Sequence, residues 1–206
     1  MQDALTVARD TLFDWWNSMV ALAVTNAIWL VASLTVILLP PATAGIYYVT
    51  FSLSRGTGQQ PMTFMEGARR YFWLSLRWAL VNVVVIAALF ANLVFYSAAV
   101  QGALAGAGLV FTALLTVLWT AMQFYVWPFL MTQEDKRLWL ALKNALLLAL
   151  GTPFYTLTLL VICGLVIAAS VLTILPLAVL TASFIALLGN NAVHERLAAF
   201  GKLPDP

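Results

Sequence analysis

Leu39-Pro40-Pro41-Ala42-Thr43-Ala44-Gly45-Ile46-Tyr47-Tyr48 is where the first long apolar run of this chain meets two adjacent prolines. Each proline lacks a backbone donor and pushes the residue before it out of the helical region, so a helix arriving at Leu39 is expected to stop or kink there. Forty uncharged residues separate Asp14 from Arg55. That is too many for one membrane span and too few for two with a comfortable turn. With the break at the prolines, residues 16–39 make one helix of about 36 Å at 1.5 Å per residue. Residues 41–54 then remain as a shorter interfacial or re-entrant segment. Pro40, Pro41, Gly45, Tyr47 and Tyr48 form the junction, with Gly45 and the two tyrosines expected at headgroup depth beside Arg55.

The 206 residues are 63% hydrophobic and 9% charged, with a mean hydropathy of +0.96. Soluble domains are roughly 45–50% apolar and about 25% charged. The chain therefore reads as all-α, a single polytopic transmembrane bundle over residues 1–206. About five spans are expected, at 16–39, 74–96, 109–131, 153–170 and 174–193, with interfacial segments at 1–14, 41–54, 63–72 and 135–150. The fifty-six uncharged residues from Trp78 to Gln133 suffice for a hairpin, its break placed between Ser97 and Gly108 where Gln101, Gly102, Gly106 and Gly108 gather. Gly151-Thr152-Pro153 ends one helix and starts another, and a second hairpin breaks around Ser170 to Pro176. Thr63 with Glu66 three residues on has the capping-box spacing. Asp3, Arg9, Asp10 and Asp14 interrupt the start of the chain, which reads as a surface amphipathic helix rather than a secretory signal.

Charge gives an orientation independently. With the first span running inward, Arg55, Arg69, Arg70, Arg77, Lys136, Arg137, Lys143, Arg196 and Lys202 share the inner side, nine of the ten basic residues. This is the positive-inside bias of short loops. It puts the amino terminus outside and the carboxyl terminus in the cytoplasm. Trp15 and Trp16 fall at the outer interface, and Trp73, Trp78, Trp127 and Trp139 at the inner one, as aromatic belts require. Trp73 to Leu80 matches Trp139 to Leu146 in six of eight positions when arginine and lysine are pooled. Two parallel units, each a basic helix followed by two spans, would account for that match.

No ionisable group lies inside an expected span, which weighs against a proton relay or a voltage sensor. Arg77 and Lys143 lie near inner ends, where snorkelling reaches the headgroups. Cys163, the single cysteine, excludes an intramolecular disulfide and a thiolate zinc cluster. His194 is the only histidine and reads as solvated beside Glu195 and Arg196. No catalytic residue, metal site or cofactor is expected. The amides Asn26, Asn82, Asn92, Gln123 and Asn190, with Asn191 beside the last, are the polar features within spans. They read first as bonds between helices and second as the lining of a polar path. Arg55, Arg69, Arg70, Arg77, Lys136, Arg137 and Lys143 are the candidates for holding anionic lipid headgroups or a cytoplasmic partner.

Pro41 to Val49, then Arg55-Gly56, then Phe64 and the basic helix to Phe72 resemble the YesL-type family of bacterial integral membrane proteins, a family of unknown function. Lys143-Asn144-Ala145-Leu146-Leu147-Leu148-Ala149-Leu150 extends the likeness. Pro40 stands where the family's glycine precedes the Pro-Ala-Thr triplet. The resemblance implies a bacterial cytoplasmic membrane protein, often encoded beside carbohydrate-uptake transporter components, and carries no catalytic residues. The expected function is a non-enzymatic accessory or scaffold protein, with a place beside a carbohydrate ABC transporter. The alternative is a small-solute transporter or channel whose path runs between the hairpins, lined by Asn26, Asn82 and Gln123. Expected partners are the lipid bilayer and other membrane subunits or further copies of the chain, and no nucleic acid.

Overall fold

The computed structural model describes residues 2–56, 61–173 and 181–201. Among these the chain forms nine α-helices and no strand. They are α1 (Gln2–Asn17), α2 (Met19–Ser33), α3 (Leu39–Ser54), α4 (Pro61–Arg70), α5 (Phe72–Ala98), α6 (Ala103–Thr132), α7 (Leu138–Gly151), α8 (Pro153–Thr173) and α9 (Thr181–Ala199). Residues 57–60 of the polar turn, 174–180 of the last expected span, and Lys202 lie outside the described residues.

Three helices, α5, α6 and α8, are long and apolar enough to cross a membrane, and a fourth crossing results if α1 and α2 count as one bent span. The three contain the expected spans 74–96, 109–131 and 153–170. Their ends are chemically marked. Gly102, at φ 72°, precedes α6, and Gly151 and Pro153 divide α7 from α8. The two copies of the eight-residue match sit in different settings. One forms the first turns of the 27-residue α5, the other lies within the separate 14-residue α7.

The leading region departs from the expected helix over 16–39. The chain bends by 90° between α1 and α2, and α2 ends at Ser33, six residues before the expected stop. Turns bonded from Thr35 to Ala32 and from Leu38 to Thr35 carry the backbone onward. Pro40 and Pro41 then open α3 instead of closing the helix before it. The first N–H groups of a helix have no intrahelical acceptor, so a proline in the first turn loses no bond, and its fixed φ suits the helix. Thr63 is likewise displaced from its expected capping role, because α4 already begins at Pro61.

α3, expected as a shorter interfacial or re-entrant segment, lies at the centre of the bundle. Pro40, Pro41, Ala42, Ala44, Gly45, Ile46, Tyr47, Val49 and Thr50 are all buried on it, and it packs against α2, α4, α5, α6 and α9. Small residues let α4 come close. A Cβ on Gly45 would meet the Phe64 carbonyl oxygen at 2.9 Å, and one on Gly67 would meet the Tyr48 Cβ at 2.5 Å.

Side-chain pairings set the directions of the helices. α3 and α9 run the same way, since Thr43 shares a cavity with Thr181 and Ile185 while Thr50 meets Asn190. α8 runs against α9, with Ser170 at Thr181 and Tyr155 under Arg196. α1 also runs against α9, with Thr11 at Asn191 and Trp15 at Ser183. The start of α1 and the end of α9 therefore lie toward the same end of the bundle.

α1 buries Ala4, Val7, Thr11 and Trp15, a stripe at helical spacing, and leaves Leu5, Leu12, Phe13 and Trp16 exposed. The expected pair of belt tryptophans is thus divided, Trp15 going into the core at 2% exposure. At the other end of the chain's basic set, Trp73 and Trp139 are exposed while Trp127 is buried. α5 and the first half of α6 form an arm. Ser75 is the one buried residue recorded on α5, and α6 is buried continuously only from Phe124 to Met131.

Candidate functional site

The amides are divided among four helix pairs. Asn26, fully buried on α2, accepts the backbone N–H of Ser183 at 3.0 Å. Ser183 lies near the start of α9, where the amide oxygen bonds its backbone N–H from a neighbouring helix. Asn190 on α9 donates to the Tyr47 carbonyl at 3.2 Å and to Thr50 Oγ1 at 3.0 Å on α3. Asn191 donates to Thr11 Oγ1 on α1 at 3.0 Å. Asn92 faces outward and donates to the Ala88 carbonyl of its own helix. The structure does not bring Asn26 to Asn82 and Gln123.

Asn82 and Gln123 do meet, between α5 and α6. Gln123 Oε1 accepts the Trp78 indole N–H at 2.8 Å and Asn82 Nδ2 at 3.2 Å. Asn82 Nδ2 also donates to the Trp78 carbonyl at 2.9 Å, and Asn82 Oδ1 accepts the Trp119 indole N–H at 3.2 Å. Beside this network opens a cleft of about 420 Å³ running between the two helices from Asn82 and Gln123 toward Leu93 and Leu109. Thr112, Thr116 and Thr120 line it at four-residue intervals, each hydroxyl donating to the carbonyl four residues earlier. The sequence reading missed this stripe, although its spacing is visible in the chain, and missed the indoles as donors.

At the junction, Tyr47 is buried in the bundle and Tyr48 is half-buried beside it. The Tyr47 ring stacks on Trp127 at 6.1 Å, which also takes Tyr71 edge-on at 6.4 Å and Trp78 at 5.5 Å. These arrangements are favourable because the ring edge is positive and the face negative. Tyr48 donates its hydroxyl to Glu66 Oε1 at 3.2 Å and tilts against Tyr71 at 6.0 Å. Glu66 thus ties α4 to α3 where a capping role was expected. Three helices, α3, α5 and α6, and the α4–α5 corner are joined through Trp127.

Of the basic residues, Arg55, Arg70 and Lys136 converge at the ends of α3, α4 and α6. Arg55 lies 4.6 Å over the Phe51 ring and Arg70 5.9 Å from the Tyr71 ring. Lys136 Nζ donates to the Met131 carbonyl at 2.9 Å. A cation there satisfies an acceptor that α6 leaves free and faces the negative end of its dipole. Burial first, then the nearby positive charges of Arg70 and Arg55, hold its ammonium below the usual lysine value. Arg137 pairs with Asp135 at 3.6 Å on the surface. Arg69, Arg77 and Lys143 are exposed on α4, α5 and α7 and do not join this group. Arg196, not singled out in the sequence, stacks 3.7 Å over Tyr155.

A family model described as "Protein of unknown function, DUF624" matches residues 22–93. The matched stretch runs through most of α2, all of α3 and α4, and α5 as far as Leu93. No curated protein matches the chain, and no solved structure matches it.

Proposed function

We propose that this chain is a non-enzymatic membrane accessory or scaffold protein, which holds the α5–α6 arm out into the bilayer for other membrane subunits or further copies of itself. The observation that carries this reading is the arm. α5 is 27 residues long with Ser75 its one buried residue, and from Val83 to Ala98 most of its residues are exposed, a surface offered to neighbours. The amides support it too, since Asn26, Asn190 and Asn191 are spent on holding α2, α3 and α1 to α9. Their separation from Asn82 and Gln123 argues against a single path lined by all three of Asn26, Asn82 and Gln123. A place beside a carbohydrate transporter in the bacterial cytoplasmic membrane rests on the resemblance to the YesL-type family alone.

The basic ends of α3, α4 and α6 support an orientation with that end in the cytoplasm. Because α1 runs against α9, the amino end of the chain belongs on that side as well, in place of the external amino terminus expected from charge and span count. Three outward and three inward legs follow, α1 with α2, α5 and α8 against α3, α6 and α9.

Purification in gentle detergent, with mass spectrometry of co-purifying chains, tests the scaffold role. A stoichiometric membrane subunit lost when arm residues Val83 and Phe90 are changed to serine is the expected result. Solute flux in reconstituted liposomes that Asn82→Leu abolishes would overturn the reading. For orientation, an epitope tag at the amino terminus should resist protease added to intact cells, and its cleavage there would restore termini on opposite sides.

A further inference from the structure

We propose that Arg55, Arg70 and Lys136 form a binding site for one phosphate monoester group, carried by a lipid headgroup or by a small soluble compound. The three come from the ends of α3, α4 and α6, and packing inside the bundle sets where they meet. Tyr47 on α3 stacks on Trp127 of α6. Both helices run the way α9 does. Thr43 and then Thr50 of α3 meet Ile185 and then Asn190, and Phe124 and then Phe129 of α6 meet Gly189 and then Val193. α3 and α6 therefore pass the stacked rings in the same direction and end on the same side of them.

Beyond the stack, two cationic heads fold back onto their own helices. Arg55 lies 4.6 Å over the ring of Phe51, which is one turn past Tyr47. Lys136 Nζ donates to the carbonyl of Met131, one turn past Trp127, at 2.9 Å. Both heads are thus held near the same level, about 6 Å along the axis from the stacked rings. Arg70 joins them through Tyr71. Its guanidinium is 5.9 Å from the Tyr71 ring, which sits edge-on to the same Trp127 at 6.4 Å.

The positive charges gathered there are not paired off. Asp135 turns to Arg137, Glu66 accepts the Tyr48 hydroxyl, and Glu134 is exposed. Among the described residues no carboxylate forms an ion pair with Arg55, Arg70 or Lys136. Burial first, and then the charges of Arg70 and Arg55, hold the Lys136 ammonium below the usual lysine value, so the field at the half-buried lysine is positive.

The donors that remain select the ligand. Ring faces hold the two guanidinium groups without consuming their N–H groups, and both arginines are exposed. Lys136 has given one of its three N–H groups to Met131. Two planar forks and an ammonium suit an oxyanion with several terminal oxygens. A phosphate monoester offers three such oxygens and a charge of about −1.5 to −2 at neutral pH. A carboxylate or a phosphate diester offers two terminal oxygens and one charge, and leaves one of the three cations unmet.

The test titrates the full chain, purified in a nonionic detergent, and counts bound ligand by native mass spectrometry. One arm uses dioctanoyl phosphatidic acid and the other glycerol 3-phosphate, with dioctanoyl phosphatidylglycerol as the singly charged comparison. Saturable binding of one phosphatidic acid is expected. Binding of glycerol 3-phosphate with similar affinity assigns the site to a soluble compound, and binding of the lipid alone assigns it to a headgroup. Arg55→Gln and Arg70→Gln, both exposed changes, should each weaken binding about fivefold, the factor that about 1 kcal/mol per cation gives. Arg69→Gln with Arg77→Gln removes two exposed charges outside the cluster and should leave binding within twofold. Failure of both monoesters to bind would overturn the proposal. So would phosphatidylglycerol binding as tightly as phosphatidic acid, or an equal loss in the Arg69→Gln and Arg77→Gln chain.

Discussion

Asn26 on α2 and Ser183 on α9 are joined by a hydrogen bond from the serine backbone N–H to the amide oxygen, 3.0 Å long and closing 157 residues of chain. Trp15 adds its indole N–H to the hydroxyl of the same serine at 3.1 Å. The first turn of α9 is thus capped from two other helices. Asn26→Leu removes the acceptor of a buried interhelical bond and should cost about 1 kcal/mol or more of stability. Ser183→Ala keeps the backbone bond and should cost less. Thermal unfolding of the purified variants in detergent, followed by circular dichroism, ranks the two; a larger loss in Ser183→Ala contradicts the capping role.

Gly67 meets Tyr48 so closely that an added Cβ would lie 2.5 Å from the tyrosine Cβ. Gly67→Ala must push α4 off α3 and should destabilise by about 1–3 kcal/mol, as overpacking does. The Tyr48 bond to Glu66 should break with it. The check is the thermal midpoint of Gly67→Ala against that of Tyr48→Phe, which loses the bond without the clash and should fall less.

Replacing Pro40 and Pro41 together by alanine tests the corrected reading of the junction. A helix stopped by the prolines would lengthen on their removal. A helix opened by them should keep its place, losing about 1–2 kcal/mol for the pair through the freer unfolded chain. Helix content by circular dichroism should stay unchanged, and so should protease sensitivity at Arg55.

Lys136 gives a pH dependence of known sign. Its folded value is lowered from 10.5, so the unfolded chain binds the proton more readily. The charged form therefore weakens the fold wherever the pH is below the folded value, and the penalty is relieved as the pH rises through that value toward 10.5. Stability of the native chain relative to Lys136→Met should rise across that interval and level off above it. Thermal midpoints of the two chains measured in parallel give the difference, and a fall across the interval contradicts the assignment.

The parts of this fold that were legible in the chain are those written locally. α5, α6 and α8 could be read because each is a long apolar run bounded by a glycine, a proline or a cluster of charge, and the bilayer demands little else of a span. The membrane class followed from composition for the same reason. Of the amides, Asn26 and Asn190 are buried in the bundle and Asn92 faces outward, and the partners of none of them were readable. Asn190 finds Thr50 and Tyr47 more than 130 residues away, and no spacing rule reaches that far.

The role of Pro40 and Pro41 was set by contacts between distant helices. Pro40 and Pro41 obey one local rule, the loss of a donor, and that rule fits the end of one helix and the start of the next equally well. Packing broke the tie. The small residues after the prolines, Ala42, Ala44 and Gly45, let α3 sit at the centre against α4 and α9. Only there can Tyr47 stack on Trp127 and Thr50 receive Asn190. The two prolines alone require the backbone to change course near Leu39. The direction it took depended on surfaces brought together from distant parts of the chain.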